Sequence, residues 1–260
     1  VNPYPASANK PTTCKQAAEL ENKTKVELAG RIMSKRLMGK LCFCHIKDES
    51  KKIQTAFSQE ELGKEKYKEF TKLFDMGDFV EIKGEMFTTH KGEKTVLVKE
   101  YKILTKAIRP LPEKFHGLQD EEERLRKRYL DILLNPELKD LFVKKAVFWN
   151  SVREFLIKEG FLEVETPVLE TTPGGADANP FVTHHDALDI DVYLRISMGE
   201  LWQKRLMVAG FEKTFEIGRQ FRNEGLSREH LQDYTQMEFY YAYANYEKGM
   251  ELVEKMYKYI

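Results

Sequence analysis

The sequence predicts a small five-stranded β-barrel followed by an α+β domain whose sheet is mainly antiparallel. In the first half, five segments alternate polar and apolar residues as half-buried strands do, and a helical pattern lies between the third and the fourth. In the second half, a long helical pattern is followed by short strands, one further helix and a predicted hairpin. A length of 260 residues suits two domains.

Three strands, a helix and two strands is the element order of an OB-fold barrel. Another small β-barrel would fit the same order. We expect the thiols of Cys42 and Cys44 in the second strand to point to opposite faces. The predicted strands are residues 26–33, 41–47, 52–57, 78–87 and 95–104, with the helix at 60–77.

Composition shifts along the chain predict four regions. Residues 1–23 are expected to be a loose tail, because their first part is rich in Pro, Asn and Ser and has no period. The barrel takes residues 24–106. Pro110 and Pro112 mark residues 107–134 as a linker with a connecting helix. Residues 135–260 form the α+β domain.

A long helix opens that second domain. Asn135 is the candidate N-cap, Pro136 suits the first helical position, and Gly160 is the predicted stop. We expect one apolar face to be buried along the whole helix, formed by Leu138, Phe142, Ala146, Trp149, Val152 and Leu156.

Two further predicted strands, residues 214–224 and 235–243, flank a polar loop. Arg219, Arg222 and Glu224 alternate with Phe221 along the first of these strands, and Glu238 follows on the return strand. Such a hairpin is either a binding site or a solvated lattice of cross-strand ion pairs.

Charge and hydropathy exclude several classes of protein. With 42 basic and 42 acidic residues, the chain is no uniformly basic nucleic-acid coat protein, so an RNA partner must be bound by local patches. Apolar runs of a few residues are too short to span a bilayer, and no signal segment opens the sequence. Three cysteines fit a reducing cytoplasm. Both ends suggest a fragment, since Val1 is not an initiator Met and the last residues fall within a helical pattern.

Several motifs, matched in order and spacing, resemble one family. The string FEIGRQFRNEG, followed by His230 and QMEFYYAYANY, resembles the second signature motif of class II aminoacyl-tRNA synthetases, and GFLEVETP resembles the first. PGGADANPF, FRNEG and residues 109–137 resemble the lysyl-tRNA synthetases of class IIb. The resemblance covers about residues 24–260 and implies a class II catalytic fold, incomplete here. It also implies ATP-dependent activation of L-lysine to lysyl-adenylate, transfer to tRNA(Lys), and a homodimer formed through the helix and strand before Pro167.

The resemblance assigns the ATP site to the predicted hairpin. Arg222 is the catalytic candidate, because a guanidinium can bridge the substrate carboxylate and the α-phosphate. Glu224 matches the residue that accepts from the adenine amino group, and His230 matches the one that reaches the γ-phosphate. Tyr234 stands where the family has a Phe that stacks on adenine.

The resemblance places the lysine pocket on both sides of Arg222. Glu200 matches the residue that holds the α-amino group, near the backbone of Gly175 and Ala176. Glu238 and Tyr240 match those that hold the ε-ammonium. Each alone could be a surface acid or a core phenol, but an ammonium in a closed pocket requires acidic partners.

The barrel resembles the anticodon-binding domain of this class. Phe43 and Gln54 match the pair that stacks on and hydrogen-bonds the central U, and Arg31 joins them. Glu100 matches a residue near the third anticodon base. By itself, Phe43 could be a core side chain. The first hairpin offers phosphate contacts or a solvated basic turn at Lys35, Arg36 and Lys40.

Three departures from the family concern the triphosphate side of the site. Met198-Gly199 replaces Ala-Pro, Glu229 replaces a loop Arg, and Tyr234 ends a segment that is usually Asn-Pro-Glu-Phe. Arg228 could substitute for the missing arginine. The sequence also stops before the third class II motif, the acidic Mg²⁺ ligands and the last lysine-pocket carboxylate. We therefore expect no metal ligands within this chain and no activity from it alone.

Three alternatives remain open. The chain could belong to an aspartyl or asparaginyl synthetase, although Asn223 and the pair Glu238 and Tyr240 speak against an acidic or amide substrate. It could be a lysine ligase that modifies elongation factor P, but such enzymes lack the barrel. It could also be a non-catalytic tRNA-binding paralogue.

Overall fold

The computed structural model describes residues 4–111 and 118–260. Residues 1–3 of the predicted tail and Pro112 of the predicted linker lie outside this range. The chain divides into two compact units, residues 1–126 and 127–260, and the division falls inside the predicted linker. No helix within the described part of the chain is long and apolar enough to cross a membrane.

Five strands in the first unit close into a barrel with the order β1-β2-β3-β5-β4. Strands β3 and β5 pair in parallel and the other pairs are antiparallel. The predicted strands and their OB-fold order are confirmed. Their bounds are β1 (Lys25–Met38), β2 (Leu41–Lys47), β3 (Lys52–Ser58), β4 (Phe79–Thr88) and β5 (Lys94–Thr105).

The helical segment between β3 and β4 is split in two, where the sequence predicts one helix. Gly63 has a φ of +80° and separates α2 (Gln59–Leu62) from α3 (Lys64–Leu73). The aromatic rings of Phe57 and Phe70 stack with their centroids 3.6 Å apart, which anchors α3 on the barrel core.

The prediction of a loose tail is wrong for its last part. Helix α1 (Cys14–Glu19) is capped by Thr13, which exchanges reciprocal hydrogen bonds with Gln16. Cys14 and Ala17 are fully buried in the barrel core. The helix is therefore part of the barrel domain.

The prediction for the two thiols of β2 is also wrong. Cys42 and Cys44 are both buried, and their Sγ atoms lie 3.8 Å apart. Residues i and i+2 of a strand share a face, so both thiols point into the barrel.

The second unit contains two three-stranded sheets, with orders β11-β10-β6 and β7-β9-β8. Only the pairing of β6 with β10 is parallel, so the predicted mixed, mainly antiparallel arrangement is confirmed. Helix α4 (Glu121–Arg126) ends the first unit. The second unit comprises α5 (Arg128–Leu134), α6 (Leu138–Lys158), β6 (Leu162–Glu163), β7 (Leu169–Glu170), β8 (Val182–His185), β9 (Ile190–Leu194), α7 (Glu200–Val208), β10 (Lys213–Phe221), β11 (Asp233–Tyr241) and α8 (Tyr246–Tyr259).

The long helix α6 starts later than predicted. Asn135 ends α5 as its C-cap, with its side chain donating to Asp131 at 2.8 Å, and so does not cap α6. The predicted stop is confirmed, since α6 ends at Lys158 and Gly160 follows with a φ of +84°.

Only the second half of α6 has a buried apolar face. Val152 and Leu156 pack with Phe215 of β10 in the core of the second unit. Phe142 and Ala146, predicted to be buried, are exposed. The first half of α6 therefore presents apolar surface formed by Leu141, Phe142, Val143, Val147 and Phe148.

Candidate functional site

The hairpin of β10 and β11 has one apolar and one polar face. Phe215 pairs with Phe239, and these rings belong to the core. Glu216 pairs with Glu238, and Gln220 pairs with Tyr234, on the opposite face. The pleat thus gathers the polar side chains predicted for the site on one surface.

Arg222 and Glu224 lie just beyond β10, which ends at Phe221, so the prediction of one strand over 214–224 is too long. Pairing continues for one residue, because the amide of Arg222 donates to the carbonyl of Gln232 at 2.9 Å. Arg219 lies on the apolar face and forms an ion pair with Asp233 at 2.5 Å. Arg219 is thereby already paired, although it lines the same cavity as Arg222.

The facing carboxylates Glu216 and Glu238 have different partners. Like charges directly opposite each other on a sheet are destabilising unless they are compensated. The buried guanidinium of Arg195 meets Glu216 at 2.5 Å, and the hydroxyl of Thr166 donates to the same carboxylate at 2.6 Å. Glu238 instead accepts a backbone amide from Met198 at 3.1 Å and has no cationic partner among the residues that the structure describes. One carboxylate of the pair is neutralised and the other is available.

Tyr240 lies near a second carboxylate, that of Glu200. Its pKa is raised to about 12 by burial and by the negative charges of Glu200 and Glu238. Lys204 pairs with Glu200 one helical turn away on α7, where both side chains are partly exposed. Tyr240, Glu200 and Glu238 therefore form one acidic cluster, called the acidic pocket below.

The Gly-containing loop, residues 173–181, packs against Glu200 of this pocket. Gly175 has a φ of +92°, and a Cβ there would overlap the hydroxyl of Ser197 and lie 2.8 Å from Oε2 of Glu200. Its backbone therefore approaches Glu200 as only glycine allows. Ala176 follows as a half-buried residue of the same loop. The amide of Asn223 donates to the carbonyl of Asn179 at 2.7 Å, which ties the loop to the residue after Arg222.

Arg222 is also fixed from the acidic-pocket side. Its Nε donates to the carbonyl of Ile196 at 3.3 Å, and its guanidinium lies 5.8 Å from the ring centroid of Tyr234. Arg222 therefore stands between the acidic pocket and Tyr234. The structure thus brings together Gly175, Glu200, Glu238 and Tyr240 and leaves Ala176 beside them, while Arg222 reaches this region through the carbonyl of Ile196.

A cavity of about 650 Å³ lies at the open end of the hairpin. All four residues predicted for ATP line it, namely Arg222, Glu224, His230 and Tyr234. His230 is oriented by the hydroxyl of Ser227, which lies 2.7 Å from its Nδ1.

Two residues of this cavity were missed by sequence reasoning. Lys145 and Trp149 of α6 line it, one helical turn apart. The only sequence signal for them is a cation four residues before an aromatic side chain, in a helix whose apolar pattern predicts packing alone. Glu229, which stands where the family has a loop arginine, also lines the cavity. Arg228, which could replace that arginine, is not among the described lining residues.

The barrel presents a polar outer face on β2 and β3. Phe43 is half-buried and alternates with the inward Cys42 and Cys44, so the core alternative is excluded. In the register of the two strands, His45 pairs with Gln54 and Phe43 pairs with Ala56. Phe43 and Gln54 are therefore diagonal neighbours on one surface.

A glutamate that sequence reasoning missed completes this face. Glu93 precedes β5, accepts from the amide of Gln54 and lies 3.1 Å from Nε2 of His45. Burial opposes ionisation of Glu93, but these two partners lower its pKa. The predicted Glu100 pairs in register with Lys83 on the β4 side, so the structure brings Glu93 and not Glu100 beside Gln54.

Two basic residues of the barrel are engaged within the fold. The ammonium of Lys35 donates to three backbone carbonyls at the end of α3, at 2.5 to 3.4 Å, so it is no free phosphate contact. Arg31 lies 4.3 Å from the ring centroid of Phe79, and burial lowers its pKa. Arg36 and Lys40 are exposed on the first hairpin.

The part of the chain that the structure describes contains no group of three or more His, Cys, Asp or Glu side chains suited to a metal ion.

Comparisons with known proteins cover both units. The family model described as tRNA synthetases class II (D, K and N) matches residues 120–260, and that of the OB-fold nucleic acid binding domain matches residues 26–104. A lysine–tRNA ligase of Carboxydothermus hydrogenoformans is 48% identical over 98% of this chain and 53% of its own length. Those of Clostridium novyi and Syntrophomonas wolfei are 50% and 51% identical over 93% and 92% of this chain, and over 47% and 48% of their own lengths. The chain spans about half the length of these relatives, and it belongs to the class II tRNA synthetases of the D, K and N family.

Proposed function

We propose that this chain is part of a lysine–tRNA ligase, in which the second unit binds L-lysine and ATP and the barrel binds the anticodon of tRNA(Lys). The observation that carries the proposal is the acidic pocket, where Gly175 packs against Glu200 and Glu238 accepts the Met198 amide without a cationic partner among the described residues. The aspartyl and asparaginyl synthetases of this family would share the same fold, so the proposed choice of amino acid rests on the charge of this pocket.

An ammonium ligand balances the charge of the pocket. Glu238 is partly buried, carries no cation among the described residues, and faces the already neutralised Glu216. An unpaired buried charge costs several kcal/mol, on the order of what a well-placed ammonium would return. An aspartate side chain would bring a third negative charge, and an asparagine side chain would leave Glu238 uncompensated. The pocket therefore favours lysine over the substrates of the related synthetases.

The proposed reaction needs positioning and charge neutralisation more than proton transfer. The lysine carboxylate, already ionised, attacks the α-phosphorus of ATP, a new C–O–P linkage forms, and pyrophosphate leaves with the electrons of the broken P–O bond. Arg222 stands between the acidic pocket and the cavity lined by Tyr234 and His230, so its guanidinium can contact both reacting groups. Charge that develops on the phosphate is then stabilised by a group already in place.

The nucleotide would occupy the cavity of about 650 Å³ at the end of the hairpin. Tyr234 offers its ring to adenine, and Glu224 offers an acceptor for the adenine amino group. Lys145 supplies a positive charge to the cavity, which Glu229 lines in place of the family's arginine. Mg²⁺ accompanies ATP in such reactions by neutralising its phosphates, and this chain contributes no ligand to it in our proposal.

For tRNA, the outer face of β2 and β3 supplies the contact. Phe43 offers an outward aromatic ring for a splayed base, and Gln54 offers an amide beside it. Glu93 accepts a hydrogen bond from the Gln54 amide, so a base must exchange with or join this hydrogen bond. Both tRNA and ATP are cytoplasmic, which is where we place the reaction.

We also propose a homodimer through the first half of α6 and the strand before Pro167. The support is the exposed apolar surface of α6, where Phe142, Val143 and Val147 are each at least half exposed. A second copy of the chain would cover this surface.

Equilibrium dialysis with L-lysine and L-norleucine tests the amino-acid assignment. Norleucine lacks only the terminal ammonium. The chain should bind lysine at least about tenfold more tightly, because a hydrogen-bonded ion pair in a partly buried pocket contributes about 1.5–3 kcal/mol. Equal affinity would refute the proposal. Pyrophosphate exchange by this chain joined to the C-terminal half of the Carboxydothermus relative then tests the complete reaction.

A further inference from the structure

We propose that two glutamines of the hairpin, Gln220 and Gln236, position the Glu238 carboxylate and thereby set the preference of the pocket for the length of the substrate's side chain. The inference rests on the proposed function and adds a specificity-determining pair to the same site.

The two amides and the carboxylate form a directional chain of hydrogen bonds. Nε2 of Gln220 donates to Oε1 of Gln236, and Nε2 of Gln236 donates to Oε1 of Glu238 at 2.6 Å. The backbone amide of Met198 donates to the same Glu238 oxygen at 3.1 Å. Oε2 of Glu238 accepts no hydrogen bond from any residue that the structure describes. The carboxylate is therefore held by one oxygen and presents the other.

The charge of Glu238 dictates the direction of this chain. An ionised carboxylate only accepts, so Gln236 must turn its NH₂ group toward Glu238 and its oxygen toward Gln220. Gln220 must then donate, and its own oxygen points away from the chain. If either amide flipped, two oxygens would face each other at hydrogen-bond distance.

The far end of the chain shows the cost of this arrangement. Gln220 is fully buried, and its Oε1 accepts no hydrogen bond within the described ranges. A buried acceptor without a partner destabilises the fold, and such groups are rare in native proteins. Gln220 Oε1 lacks a partner because Glu238 fixes the direction of the hydrogen-bond chain. We infer that this energetic cost is retained because the positioning of Glu238 has a functional value.

A Glu238 carboxylate in a fixed position can select substrates by the length of their side chain. Glutamate has three rotatable side-chain bonds, and two donors on one oxygen restrict them. Lysine and ornithine differ by one methylene, so a fixed Oε2 that meets the lysine ammonium leaves the ornithine ammonium short of it. A Glu238 released from Gln236 could follow the shorter side chain. Loss of the glutamine pair should therefore narrow the preference for lysine over ornithine.

The experiment measures dissociation constants of L-lysine, L-ornithine and L-norleucine for the 260-residue chain by equilibrium dialysis. The variants are Gln236→Met and Gln220→Met, which keep an unbranched side chain and remove the amide. We expect the ratio of ornithine to lysine dissociation constants to fall about tenfold in both, because each breaks the chain that ends on Glu238. The exposed Gln119, outside both sheets, provides the control Gln119→Met, which should keep the wild-type ratio.

The ligands separate this inference from the proposed function. If the wild-type chain binds lysine no more tightly than norleucine, the proposed function fails and this inference fails with it. If the wild type prefers lysine to norleucine but both Met variants keep its ratio of ornithine to lysine, only the inference is overturned.

A double-mutant cycle provides a second decision that does not depend on a ligand. The change in the unfolding equilibrium constant of the double variant should differ by more than about twofold from the product of the changes caused by Gln220→Met and Gln236→Met alone, because Gln220 acts through Gln236. Additive effects would overturn the inference. If a Met variant does not fold, the corresponding Asn variant keeps a polar amide that is one methylene too short, and it should lower the ornithine to lysine ratio in the same way.

Discussion

Replacement of Gly175 by alanine should destabilise the second unit far more than the same change at Gly210. Both glycines have similar backbone conformations, with φ of +92° and +98°. An alanine in this region costs about 1–2 kcal/mol because its Cβ approaches the following carbonyl oxygen. Gly210→Ala should therefore lower the free energy of unfolding by this amount alone, since its added Cβ meets nothing within 4 Å.

Gly175→Ala adds a steric conflict that cannot relax easily. The new Cβ would overlap the Ser197 hydroxyl and lie 2.8 Å from both Cβ and Oε2 of Glu200. Ser197 is buried, and its hydroxyl donates to the carbonyl of Gly174 at 3.2 Å. Glu200 is the first residue of α7, so the helix fixes the position of its Cβ. Overpacking of this kind costs about 1–3 kcal/mol, so we expect a total loss of about 2–5 kcal/mol.

Tryptophan fluorescence during urea unfolding measures this difference selectively. The two tryptophans of the chain, Trp149 and Trp202, both lie in the second unit. Gly175→Ala should also weaken L-lysine binding in dialysis, because Glu200 must move, whereas Gly210→Ala should not. Equal destabilisation by the two substitutions would refute the close approach of this loop to Glu200.

Three further predictions concern other parts of the proposed function. Phe43→Ala should weaken binding of a tRNA(Lys) transcript by about 1–3 kcal/mol in a filter assay, and unchanged affinity would remove Phe43 from the RNA contact. In the enzyme completed with the C-terminal half of a relative, Arg222→Ala should lower kcat by about 10²-fold or more, while Glu238→Gln should chiefly raise KM for lysine and leave KM for ATP unchanged. Pyrophosphate exchange decides between these patterns, and a raised KM for ATP in Glu238→Gln would place that residue in the nucleotide site. Lys35→Met should lower the free energy of unfolding of the barrel by about 1–2 kcal/mol. Hydrogen exchange of barrel amides measures this loss, with Lys40→Met at an exposed lysine as the control. Equal protection of the amides in both variants would contradict the helix-capping role of Lys35.

The strands of the barrel could be predicted because each one is half-buried. Alternation of inward and outward side chains is a local signal, and it placed β2 at the bounds that the structure shows. Helix α1 has only six residues, too few for a period, so the sequence pattern there predicts a tail. A capping box was nevertheless present, since Thr13 is followed three residues later by Gln16.

Burial of α6 could not be predicted from its apolar residues alone. Phe142 and Val152 both fit an apolar stripe, but only Val152 meets the core of its own unit. A stripe that packs within one chain and a stripe that awaits another surface have the same sequence pattern. The start of the helix was misplaced for a similar reason, because Asn135 suits the end of one helix as well as the start of the next.

The charge of the candidate pocket was the least local property of the site. Sequence spacing predicted that β10 and β11 pair, and their register brings Glu216 and Glu238 opposite each other. Which of the two carboxylates is neutralised depends on Arg195, which comes from the segment after β9 and reaches Glu216 through the fold. No pattern within the hairpin contains this information. With Glu216 compensated from within the chain, a cationic ligand has only Glu238 left to pair with on this face, so the remote Arg195 determines which glutamate the proposed lysine site can use.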